Sequence, residues 1–99
     1  MRWYISGPMS NMPEFNFPAF HAAAATLRAE GLDVLNPAEL DEADDVPPGG
    51  RPWEDYLRRD IRALMDCRGI ALLPGWEKSR GACLEAHVAQ ALGFTFRYL

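Results

Sequence analysis

Ile70–Gln90, IALLPGWEKSRGACLEAHVAQ, is the stretch that decides the fold. Ile70 to Leu73 has no polar alternation, the pattern of a strand covered on both faces. Pro74-Gly75 turns the chain, a polar loop follows, and a helix opens near Gly81. The loop carries binding chemistry: Trp76 for stacking on a base or sugar face, Lys78 and Arg80 for charge, Ser79 for hydrogen bonding. Gly81-Ala82 leaves the first N–H groups of the helix uncovered, where an anion can approach. Ser79 is also placed to cap that helix, a structural role open beside the phosphate-binding one. Glu85 follows one turn later. At about 100° per residue its neighbours are Val88, Ala89 and Leu92, so an ionisable group falls mid-way across an apolar face. Burying it costs free energy unless it has a partner or a task.

The flanking chain supplies the rest of an α/β alternation. Arg2 to Ser6, RWYIS, reads as the first strand, and Ser6-Gly7-Pro8-Met9-Ser10-Asn11 as the loop that ends it. Gly7 allows the backbone close to a ligand. Asn16-Phe17-Pro18 predicts a helix start with Asn16 as cap, running to Gly31, with Phe17, Phe20, Ala24 and Leu27 as its apolar stripe. Leu32 to Leu35 is a second short strand, closed by Asn36-Pro37. Ala38 to Arg51, acidic and then rich in Pro and Gly, is expected to be a long surface loop with solvated Asp41, Glu42, Asp44 and Asp45, and a candidate lid. Pro52 opens a helix whose face is Trp53, Tyr56, Leu57, Ile61 and Leu64. Asp60 lies at the centre of that arc, with Arg58, Arg59 and Arg62 expected mainly outward. Gly93 ends the last helix, and Phe94 to Tyr98 alternates as a final strand.

The order β-α-β-α-β-α-β predicts a single three-layer α/β/α domain over residues 1–99, flavodoxin- or Rossmann-like, with a four-stranded parallel sheet. In strand order 2-1-3-4, a crevice opens at the carboxyl ends of strands one and three. The loops Ser6–Asn11 and Pro74–Arg80 would meet there. Composition limits the alternatives. A formal charge of −4 disfavours non-specific binding to a nucleic-acid polymer. Cys67 and Cys83 form neither a CxxC pair nor a disulfide framework and read as buried thiols of a cytoplasmic protein. No apolar run reaches the ~20 residues of a membrane span, and the N-terminus lacks a signal-peptide pattern. No Walker loop, GxGxxG or GxSxG elbow is present. His21 and His87 have no partner spaced to make a metal site, and no cofactor is implied.

Two inward carboxylates on different helices suit glycosyl chemistry. One attacks or stabilises an oxocarbenium-like sugar while the other assists the leaving group. The competing role for Glu85 is capping a neighbouring loop's N–H groups; for Asp60 it is a buried salt bridge. Tyr4, on the first strand beside the crevice loop, is either core or site.

The segments YISGPMSN, NFPAFHAAAATLRAEGLDVLNPAE, YLRRDIRALMDCRGIALLPGW and SRGACLEAHVAQALG resemble the small phage and bacterial domain DUF4406 over nearly the whole chain. That domain is similar to the nucleoside 2-deoxyribosyltransferase superfamily, which includes 2'-deoxynucleoside 5'-phosphate N-hydrolases. The resemblance implies Glu85 as nucleophile, Asp60 as the residue orienting the base or assisting its departure, and Tyr4 as a substrate-positioning residue. The transferases carry an aspartate six residues before the glutamate, and the phosphate-recognising hydrolases a serine. Ser79 stands there in this chain, favouring a 5'-phosphorylated ligand. It also implies a homodimer. The chain closes with the fourth strand, where the enzymes continue into segments completing a neighbouring subunit's site. The expectation is an N-glycosidic bond hydrolase or transferase acting on a (deoxy)nucleoside 5'-monophosphate. A non-catalytic nucleotide-binding domain, and an interaction protein whose carboxylates are only charge partners, are the alternatives.

Overall fold

A computed structural model describes residues 1–99. The elements are β1 (Arg2–Ser6), α1 (Phe17–Ala29), β2 (Asp33–Leu35), α2 (Pro37–Glu42), α3 (Trp53–Met65), β3 (Gly69–Leu72), α4 (Arg80–Ala91) and β4 (Thr95–Tyr98). Two 3-10 turns, Pro13–Asn16 and Trp76–Lys78, precede α1 and α4. All strands run parallel in the order β2-β1-β3-β4, as the alternation predicts. Trp3 pairs with Gly69, Tyr4 with Ile70 and Ser6 with Leu72. Gly69 is required at that register, because a Cβ would stand 2.6 Å from ring carbons of Trp3.

Alternation along β1 distributes its side chains between two cores. Trp3 and Ile5 face α1, where Phe20, Ala23, Ala24 and Leu27 are buried together with Val34, Ala38, Ala71 and Leu73. Tyr4 enters the opposite core with Ile70 and Leu72, against Leu64 of α3, Cys67, and Ala86 and Ala89 of α4. Because the period is two, Ser6 follows Tyr4 onto the α3/α4 side. That parity decides which helix can reach a polar pair on the central strand.

The structure corrects several local expectations. The stretch after β2 begins with a helix, α2, capped by Asn36, whose Oδ1 accepts from the Ala38 N–H at 3.0 Å. Asp41 is consequently buried rather than solvated. Asn16 does not cap α1; its backbone is left-handed (φ 60°) and its side chain donates to the Pro8 carbonyl at 2.9 Å, tying down the loop after β1. On α3 only Leu64 of the expected face is buried, since the first half of the helix walls a cleft instead of a core. Arg59 turns inward from that helix to meet acids of α2 and α3. Leu92 is exposed, and the buried face of α4 is Ala82, Glu85, Ala86 and Ala89. Cys67 is buried as expected, whereas Cys83 is only half-buried.

Candidate active site

At the carboxyl ends of β1 and β3 lies a cleft of about 530 Å³. That size suits a small organic ligand. It brings together Tyr4, Ser6, Gly7, Pro8 and Met9 from the first strand and its loop, Asp60 from α3, and Ser79, Arg80, Gly81 and Glu85 from the start of α4. Gly7 is forced by packing, since a Cβ would stand 2.7 Å from Leu73 Cβ. The backbone at the mouth is left-handed at Asn11, Glu14, Phe15 and Asn16, a conformation that costs a non-glycine residue free energy. It sets Phe15 over the cleft opposite Gly49, where an added Cβ would touch the Phe15 ring at 3.1 Å.

Glu85 forms the floor. The Tyr4 hydroxyl donates to Oε2 at 2.5 Å, and the Ser6 hydroxyl donates to Oε1 at 2.7 Å. The residue is 6 % exposed. Burial pushes its carboxyl up to about 7, the two hydroxyl donors pull it down, and the charge of Asp60 raises it further. Tyr4, fully enclosed beside that carboxylate, is held well above the usual phenol range by burial first and by Glu85 next. It therefore remains a donor.

Asp60 lines the same cleft as Glu85. Burial raises its carboxyl to about 6, against the opposing pull of Arg59. Arg59 Nε and Nη2 both donate to Asp60 Oδ1, at 3.1 and 2.9 Å, and Nη2 also donates to Asp41 Oδ1. The competing salt-bridge role expected for Asp60 is thus present on one of its oxygens, while the other accepts nothing from the protein.

At the far end Ser79 caps α4, its Oγ accepting from the Ala82 N–H at 3.2 Å. The N–H groups of Arg80 and Gly81 occupy the first two helical positions, which have no helical acceptor. The Arg80 guanidinium stacks on Trp53, 4.4 Å from the ring centroid, and Lys78 also lines the cleft.

Trp76 is the one expected site residue that the cleft does not include. Its ring is turned to the β4 side, 6.3 Å from that of Tyr98, and packs on the core beneath α4. Apolar area on β4 drew it away from the ligand loop. Trp53, from α3, is the tryptophan that lines the cleft. Asp41 and Arg59 were not foreseen. The signal for Asp41 was Asn36-Pro37, a cap followed by proline at the first helical position, which predicts a helix that would aim one face of LDE inward.

Comparison with solved structures finds the same fold in deoxyribosyltransferases. A 2-deoxyribosyltransferase from the psychrotolerant bacterium Bacillus psychrosaccharolyticus superposes with a TM-score of 0.75 at 18% identity, over 99% of this chain and 71% of that one. The 2-desoxiribosyltransferase from Leishmania mexicana gives a TM-score of 0.71 at 18% identity, over 99% of this chain and 63% of that one. No curated protein matches the sequence. The family described as "Domain of unknown function (DUF4406)" matches residues 1–98, and the chain belongs to that family.

Proposed function

We propose that the protein cleaves the N-glycosidic bond of a (deoxy)nucleoside 5'-monophosphate, with Glu85 as nucleophile. The observation that carries this reading is the Glu85 carboxylate on the cleft floor, with one hydroxyl on each oxygen and Asp60 lining the same cleft. Tyr4 and Ser6 fix the carboxylate and favour its ionised form against the cost of burial. A Glu85 oxygen attacks C1', the C1'–N bond breaks, and its electron pair goes to the base. Asp60, whose carboxyl burial raises to about 6, gives the proton of its protonated form to the base. Water then attacks C1' and gives a proton back to Asp60 as the bond to Glu85 breaks. The products are free base and the sugar 5-phosphate. A second base in place of water would give transfer.

Ser79, the N–H groups of Arg80 and Gly81, and Lys78 hold the 5'-phosphate, with the helix dipole contributing. The loop Ser6–Met9 covers the sugar. The fold shared with two deoxyribosyltransferases supports the reading. The chemistry uses only carboxylates and water, so no cofactor enters. Non-catalytic nucleotide binding is the second reading, favoured by the engagement of both Glu85 oxygens, which resists their approach to C1'. Incubation with 2'-deoxynucleoside 5'-monophosphates and chromatography of free base separates the two. Base release by the wild type and its loss in Glu85→Ala support cleavage. Tight calorimetric binding with intact nucleotide recovered supports binding alone.

A further inference from the structure

The Asp41–Arg59–Asp60 group is more than a salt bridge. A single guanidinium nitrogen, Arg59 Nη2, donates to Oδ1 of both acids, so the two carboxyls stand side by side. Arg59 itself is absent from the cleft wall; it lies behind the acids, its guanidinium 5.4 Å from the Tyr56 ring centroid. Both acids line the cleft. The side chain of Asp41 is nine-tenths buried, yet its Oδ2 accepts no hydrogen bond from the protein, and neither does Asp60 Oδ2. No fully enclosed side-chain oxygen in the molecule lacks a partner, so these two oxygens are solvent-accessible, on residues that line the cleft. Free acceptors on a cleft wall pair with water until a ligand displaces it, and a ligand there must replace that pairing with donors of its own.

We infer that Asp41 is a specificity-determining residue, selecting a base with an exocyclic amino group next to the ring nitrogen that Asp60 protonates. This rests on the glycosidic reading above. Asp60 offers a proton to the ring nitrogen, N7 of adenine or N3 of cytosine. Asp41, paired with Arg59 through Oδ1, offers its Oδ2 as an acceptor to the neighbouring N–H of the amino group. In the 6-oxo purine the amino group is replaced by a carbonyl, which would set two acceptors against each other. A site that leaves such a group unpaired rejects the analogue strongly. Arg59 acts through the acids and is a positioning residue.

The test is calorimetric binding of dAMP against dIMP, and dCMP against dUMP, to wild type and to Asp41→Asn. Each pair exchanges the amino group for an oxo group together with a ring N–H, at N1 of the purine or N3 of the pyrimidine, and adenine and hypoxanthine keep the same N7. Wild type is expected to hold the amino member about tenfold or more tighter in whichever pair binds better. Asp41→Asn, which adds an N–H donor, is expected to erase or reverse that preference. Equal affinities within each pair, or a preference for the oxo member, would overturn the inference while leaving cleavage intact. An unchanged preference in a folded Asp41→Asn protein would overturn it too. Should none of the four bind, both the inference and the glycosidic reading fail. Base release from any of them, read separately, reports on the reaction alone. The wild-type comparison stands even where the variant does not fold.

Discussion

The Tyr4 hydroxyl and the Glu85 carboxylate, 81 positions apart in sequence, are joined at 2.5 Å across the boundary between the central strand and the last helix. The contact follows from parity. Tyr4 and Ser6 share one face of β1, and Glu85 lies on the face of α4 that covers it. Tyr4→Phe removes one of the two donors that oppose the burial of the charge. The acidic limb of kcat/KM, set by ionisation of Glu85, is expected to move upward from about 7, with roughly tenfold less activity at pH 7. A pH–rate profile of the variant checks this. A limb that stays in place would remove Tyr4 from the control of Glu85.

Burial of Glu85 also has a stability signature. Its carboxyl is raised in the folded state from the ordinary 4.5 to about 7, so the folded protein holds a proton that the unfolded chain has lost. Stability is therefore fully present below pH 4.5 and falls as pH rises to about 7. Glu85→Gln has no charge to bury. It is expected to be more stable than wild type at pH 8, by up to about 3 kcal/mol, with little difference at pH 4.5. Thermal denaturation of both proteins at the two pH values measures it.

Arg59 compensates two acids, and its removal leaves them facing one another. Arg59→Ala is expected to destabilise the protein by about 1–3 kcal/mol at pH 8, below the full cost of breaking a buried pair because the guanidinium is 29 % exposed. The loss should shrink at pH 5, where burial lets Asp60 take up a proton. Urea denaturation at both pH values tests it.

Ser79 serves a helix cap and, in the proposed reaction, a phosphate. The two roles separate in substitution. Ser79→Ala is expected to cost about 1 kcal/mol of stability through the lost cap. Ser79→Asp keeps a cap and should preserve the melting temperature, yet weaken monophosphate binding more than tenfold relative to the nucleoside, by charge repulsion. Calorimetry with a nucleotide and its nucleoside distinguishes them.

The sheet order and the two crevice loops were legible because the strands are short apolar runs separated by helix-length segments, and strand parity needs no tertiary detail. Glu85 and Asp60 stood out as acids on apolar arcs. Three things were hidden. A six-residue helix is too short for periodicity to show, so α2 and Asp41 merged into a loop. The inward turn of Arg59 depends on Asp41 and was lost with it. Trp76 sits in a loop whose side is chosen by distant Tyr98, a contact no local pattern encodes.

Double displacement on Glu85 is legible in the configuration of the product. Turnover of a β-nucleoside 5'-monophosphate in the presence of methanol, followed by NMR of the methyl glycoside 5-phosphate, reports the face from which C1' was last attacked. Two successive attacks predict a β product, with Glu85→Gln releasing base at least about a thousandfold more slowly. An α product would show water or methanol attacking without the carboxylate in between, and together with undiminished release by Glu85→Gln would contradict the account.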